Sequence, residues 1–435
     1  MRGRRIAVGV AALVALVVAG VVVWAVTSDS GDSSSTSATD TTRGVVTIRM
    51  VKVGDPGNAS VGVVSAFGAK GDFVNPPANG GIYATCADAP PGQTNCLTVG
   101  GVAYAYEIGE LEVTVDQYVT FLNTVDPDGT NPHDVYLDAM SPTVWPKYGS
   151  IAYAQDADAG DHYSVAYPEW SDKPFGFADF LRAARFVNSL VNGEILDRTE
   201  SAADGFENVT YRVRLSTESE SGMYDLSDPA TKRTGSTGFV IPSNDEWVKA
   251  AYYDPKGGGT LSYWQYPTGP SDAPNASLLD PATGEVVNAT DQPLSSYKPT
   301  SPNAPAGTYP TWCPPQVGAK ACGTVNPLQL LPGTGTAYRS TYQANLSTVG
   351  QTRTRSPWGT LDQGGNVVEW QDTIVPPPAG YPNLRTWRRL HGGVTNAPSY
   401  QLLISAFGVV PEDDKLIGNV NPWAGFRVAV IGDLG

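Results

Sequence analysis

SPWGTLDQGGNVVEW, residues 356–370, is the most distinctive stretch of the chain. Gly364 and Gly365 permit a tight, left-handed backbone, after which Asn366 and Glu369 offer side-chain oxygens close together. A hard cation such as calcium takes that mixture of backbone carbonyls and carboxylate. The plainer reading of the same residues is a glycine turn entering a strand. Asp362 and Asn366 are further oxygen donors nearby, and Asn366 equally suits tying the turn to the backbone. Downstream, Gly425-Phe-Arg-Val428 reads as a buried terminal strand in which Arg427 needs a carboxylate partner.

The chain around that stretch has 435 residues, enough for one large domain or two to three ordinary ones. Apolar residues make up 41% and aromatics 10%, so a real core can form. Only 16% of residues are charged, and the 47 glycines and 35 prolines point to a loop-rich fold rather than a helical bundle. The net charge is −15, and it is −18 once Arg2, Arg4 and Arg5 are set aside. Such an acidic surface repels phosphate backbones and excludes nucleic acid as a partner. Three histidines (His133, His162, His391) and four cysteines leave little for a transition-metal site, which argues against a His-rich zinc or iron enzyme.

Residues 6–26 (IAVGVAALVALVVAGVVVWAV) form an uncharged apolar run behind a basic stub, residues 1–5. About 20 helical residues span a hydrocarbon core of roughly 30 Å. Secretory signals carry a shorter apolar stretch and a small-residue cleavage site, and here Trp24 and Val26 flank Ala25. The run therefore reads as an uncleaved transmembrane signal anchor, with a cleaved signal peptide as the alternative. Either reading carries the rest of the chain out of the cytoplasm, to the cell surface or periplasm, with secretion following cleavage. Residues 27–44 are rich in Ser, Thr and Asp and read as a flexible linker.

Cysteine spacing agrees with export. Cys86 and Cys96 share one Pro/Gly-rich loop and Cys313 and Cys322 share another, so two local disulfides are expected. A metal site or reactive thiol pair is the functional alternative, but the close Cys-x2–4-Cys spacing of zinc ligands is absent. Three helices are legible. Thr114-Val-Asp-Gln117 is a capping box ahead of Tyr118, Phe121, Leu122 and Val125 at helical spacing. Residues 177–191 carry Leu181, Ala184, Phe186 and Leu190, with Asn192-Gly193 as a stop. Ser243-Asn-Asp-Glu246 is a second capping box, ahead of Trp247, Ala250 and Ala251. Strand-like runs lie at 46–53, 209–214 and 426–431. With no repeat and no second linker, residues 45–435 read as one irregular α+β domain with loop insertions.

Order along the chain adds a further reading. YEIGELEVTVDQYVTFLN (106–123) is followed by FADFLRAARFVNSLVNG (177–193), GMYDL (222–226), FVIPSNDEWVKAAYYDP (239–255) and YWQYPT (263–268). Then come the 356–370 stretch, HGG (391–393) and AGFRVAV (424–430). This ordered series resembles the formylglycine-generating enzyme family, also called the sulfatase-modifying-factor domain. The similarity covers nearly all of residues 45–435, with insertions near 66–100, 194–220 and 279–340. It implies a C-type-lectin-like fold of low regular secondary structure and bound structural calcium. On the family pattern, Glu369 and the backbone of Gly365 and Val367 match one calcium loop, and Asn345 matches a residue of a second.

The resemblance does not carry one activity with it. The family's best-known members are copper-dependent oxidases that convert a sulfatase cysteine to formylglycine through a cysteine pair between the GNxWEW segment and the terminal GFR strand. Two thiolates suit soft Cu(I), and residues 371–435 contain no cysteine. Copper is therefore not expected, and no catalytic residue is assigned. Relatives with a three-histidine iron domain do not match either. The reading is an exported, membrane-anchored, non-catalytic module that binds an extracellular protein or glycan, or serves as a scaffold. The alternative is an oxidoreductase of the formylglycine-generating type, acting on a protein cysteine or small substrate through an atypical site.

Overall fold

Val46, Ile48 and Met50 are buried and alternate with exposed Thr47 and Arg49 along the strand Val45–Val53, the period-two pattern of a half-buried strand. The structure, a computed structural model, describes residues 43–65, 80–91, 96–145, 148–228, 230–257, 262–277, 285–286, 293–296, 346–377, 386–395, 397, 399–413 and 421–434. The membrane-anchor and linker expectations (6–26 and 27–42), Asn345 and the Cys313–Cys322 pair lie outside the described residues. Residues 42–435 form one unit, and the description concerns that unit.

The described residues form an α+β fold, mostly strand with three α-helices. Six strands make the main sheet in the order Gly238–Val240, Ala429–Ile431, Tyr106–Gly109, Val45–Val53, Phe206–Arg214, Glu194–Ala203. Every neighbouring pair in it is antiparallel. The first and last strands of the unit thus flank the same short strand, Tyr106–Gly109. Helices α1 (Val115–Val125) and α2 (Phe180–Val191) join the sheet in one core, in which Tyr118 stacks on Phe175 at 3.5 Å and Phe186 meets Phe426 at 5.4 Å. Helix α3 (Asn244–Tyr252) helps form a second core around Trp247 and Tyr252. A second sheet has the order Phe407–Pro411, Trp387–His391, Val368–Val375, Ala424–Gly425, with only the last pair parallel.

Both capping boxes form. Thr114 Oγ1 accepts from the Gln117 amide while Gln117 Oε1 accepts from the Thr114 amide, and Ser243 and Glu246 make the same reciprocal pair. Helix α2 starts three residues later than the sequence reading placed it. The Asp179 carboxylate accepts from the Arg182 amide at 2.7 Å and caps the helix at Phe180, while Phe177 sits outside at φ 63°. Within that helix Arg182 is buried and Leu181 only partly so, the reverse of their polarity, because Asp179 pairs with the guanidinium at 3.2 Å.

Two strand expectations change. Residues 194–214, part of an expected insertion, form the long hairpin at the sheet edge, turning at Asp204-Gly205 with φ of 54° and 84°. Asp-Gly is the sequence that such a two-residue turn prefers. Of residues 426–431, expected as one strand, only Ala429–Ile431 is strand. Ala424–Gly425 belongs to the second sheet and Ala429–Ile431 to the first, and Phe426, Arg427 and Val428 cross between them. Gly425 permits the crossing, since a Cβ there would come within 2.6 Å of Val367 and 2.7 Å of the Phe175 carbonyl.

A small sheet, Ile82–Tyr83, Val61–Val64 and Cys96–Val99, carries a disulfide between Cys86 and Cys96, compatible with the local pairing expected. No helix among the described residues is long and apolar enough to cross a membrane.

Candidate functional site

The loop 356–370 enters the second sheet directly beneath the crossing. Gly359, Asp362, Gly365 and Asn366 all take positive φ, so the chain turns repeatedly before Val368 begins its strand. Gly365 is the position where this matters most, because a Cβ would lie 2.3 Å from the Ser296 carbonyl oxygen.

Glu369 and Arg427 meet at the centre of this region, both with no exposed surface. Arg427 Nε donates to Glu369 Oε2 at 2.6 Å and Nη2 to Oε1 at 2.7 Å, a two-pronged pair. Trp247 Nε1, from α3, donates to Glu369 Oε2 at 2.8 Å. The other guanidinium hydrogens reach the carbonyls of Gly109 (2.8 Å), Glu110 (3.3 Å) and Leu361 (3.0 Å). One arginine on the crossing segment thereby ties the main sheet, the loop and the second sheet together. The carboxylate partner that the sequence demanded for Arg427 is Glu369.

Two more carboxyls stand close by. Glu112 accepts from Asn366 Nδ2 at 2.9 Å and from the Val367 amide at 3.3 Å. Asp362 accepts from the Gly350 amide and from Thr352 Oγ1 at 2.7 Å. Burial, with the negative charges of Asp362 and Glu369 added, pushes the Glu112 carboxyl well above the usual carboxylate range. Burial likewise raises Asp362. Asn366 has no exposed surface; its Oδ1 accepts from the Ser347 amide, so it ties the turn to the backbone.

The expected calcium loop took the Glu369 carboxylate with the carbonyls of Gly365 and Val367 and, from a second loop, Asn345, which lies outside the described residues. Calcium takes six to eight oxygens whose lone pairs face the ion. Here the Glu369 oxygens face three N–H donors, and the side-chain oxygens of Glu112, Asp362 and Asn366 face N–H or O–H groups as well. As placed, Glu369 could ligate calcium only by giving up Arg427. Among the described residues no group of three or more His, Cys, Asp or Glu side chains is placed to hold a metal.

A second ionic cluster lies at the other end of the second sheet. Arg233 donates to Glu246 at 2.7 and 3.0 Å and pairs with Asp372. Arg388 pairs with Glu412 at 3.1 Å, donates to the Thr231 carbonyl at 2.8 Å and lies 3.7 Å over the Phe180 ring. Burial pushes the Asp372 carboxyl up to about 6. His391 faces the first network, stacked on Trp247 at 4.8 Å. Sequence reasoning missed Glu112, Trp247, Arg233 and Arg388 as network members. The available signal was a charged residue inside an apolar run, as in Leu111-Glu-Val113.

No protein-family model matches the chain, and no curated protein matches it. Among solved structures, Treponema denticola variable protein 1 is similar at 16% identity over 88% of this chain and 95% of its own, with a TM-score of 0.38. PvdO from Pseudomonas aeruginosa is similar at 11% identity over 89% of this chain and 94% of its own, with a TM-score of 0.33. Both likenesses are distant.

Proposed function

We propose that this chain is an exported, membrane-anchored member of the formylglycine-generating enzyme family with a C-type-lectin-like frame, and that it binds an extracellular protein or glycan without turnover. The observation that supports a non-catalytic role is the fate of the motif residues. Glu369, Arg427, Asn366 and Trp247 have no exposed surface and direct their polar atoms at one another, at buried Glu112 or at the backbone, so none is open to a substrate. Residues 371–435 supply no thiol for copper. A rigid frame with long connections suits recognition by loops. The purified protein is therefore expected to retain a glycan or peptide ligand on an array and to leave oxygen unconsumed when copper and thiol peptides are supplied. Stoichiometric copper binding with substrate-dependent oxygen uptake would establish the oxidase reading instead.

A further inference from the structure

We infer that the Arg427 guanidinium, by holding both Glu369 oxygens, supplies the positive charge of the carboxyl cluster beneath the 364–370 loop, so that this loop folds without metal. The inference rests on the family part of the proposal and is independent of what the protein binds. Three buried carboxyls, Glu112, Asp362 and Glu369, all lie close enough to Arg427 for their charges to act on it. A carboxyl cluster of that kind needs positive charge, and either a divalent ion or a guanidinium can supply it.

Geometry decides between them. All five guanidinium N–H groups have acceptors: two on Glu369 and three on the carbonyls of Gly109, Glu110 and Leu361. Glu369 receives Trp247 Nε1 as a third donor, so both its oxygens are committed. Glu112 and Asp362 are held by backbone amides and by the Asn366 and Thr352 side chains. A calcium ion entering here would face N–H dipoles turned positive end toward it. It would also have to displace a buried, fully hydrogen-bonded arginine.

Thermal unfolding of the full chain in calcium and in chelator tests this directly. The expected result is the same melting temperature in both, within about 1 °C, because a ligand that does not bind the folded state cannot stabilise it. A calcium-dependent rise that Glu369→Gln abolishes would overturn the inference. A rise that Glu369→Gln leaves intact puts the ion elsewhere and keeps Arg427 as the cation of this loop. Terbium gives a readout on the wild-type fold. Bound at Glu369 it would lie beside the Trp247 indole and emit on tryptophan excitation. Sensitised emission that disappears in Trp247→Phe overturns the inference; its absence supports it.

Discussion

Glu369 shows at the scale of one residue how a motif can be legible while its chemistry is not. The sequence marks it as a carboxylate that must be used, and separately marks Arg427 as a cation that must be paired. Joining the two requires knowing that residues 58 apart in the chain come to 2.6 Å, which no local pattern carries. Glu369→Ala would leave Arg427 buried without its counter-charge, at a cost of about 3–5 kcal/mol. Trp247→Phe keeps the ring stack and loses one hydrogen bond to a charged group, about 1.5–3 kcal/mol. Urea unfolding of the three proteins should show that order, and equal midpoints would remove the pair from its structural role. His391 gives a pH prediction. Burial, with Arg389 adding to it, pulls the imidazole down to about 3. The folded pKa is below the unfolded one, so the unfolded chain binds the extra proton between about pH 6.5 and 3. Stability from this residue is complete above about pH 6.5 and is lost as pH falls, by at most about 1.4 kcal/mol per unit. Asp372 runs the other way, its carboxyl raised to about 6, so its contribution is present at low pH and lost as pH rises through 6. His391→Phe should flatten the acid side of the stability profile, and an unchanged slope there would refute the assignment.

Elements were more legible than residues wherever a local rule sufficed. The two capping boxes start helices where the sequence placed them, because Thr114–Gln117 and Ser243–Glu246 satisfy orphan amides within one turn. Helix α2 starts three residues after the sequence expectation because the apolar spacing runs back to Phe177, while the cap that starts the helix is Asp179. The inner strand of the edge hairpin is legible at 209–214, but its outer strand, Glu194–Ala203, is not, because it is mostly exposed and shows no apolar alternation, although Asp204-Gly205 marks the turn. The crossing at 426–428 was read as strand because Phe-Arg-Val has strand composition; only tertiary contacts distinguish passage between two sheets from pairing within one. Thr114→Ala should lower stability by about 1 kcal/mol, the ordinary value of a cap. Asp179→Ala should cost more, about 3 kcal/mol, since it removes a cap and also the carboxylate paired with buried Arg182. Equal losses from the two, measured by denaturant midpoints, would show that the Asp179–Arg182 pair adds nothing.

Across the whole molecule, stability is distributed unevenly. The Cys86–Cys96 bond closes a loop of about ten residues, for which chain entropy suggests roughly 2–3 kcal/mol. It tethers the small sheet, which packs with α3 in the second core, whereas the strands around Val45–Val53 belong to the first. Reduction should therefore raise amide exchange in 61–64 and 96–99 while leaving 45–53 and 206–214 protected; loss of protection in all four would mean that the bridge holds the entire unit. The strand Val45–Val53 has one more consequence. It is paired along seven residues with Phe206–Arg214 and along four with Tyr106–Gly109, and it begins at Val45. A pull applied there runs along the strand axis, so the interstrand bonds on both flanks are sheared together instead of unzipping one at a time. A domain held at that end would resist tension like a lap joint, failing late and all at once, and force spectroscopy from residue 43 should record a single high rupture event where a pull from the Asp204-Gly205 tip peels the hairpin at low load.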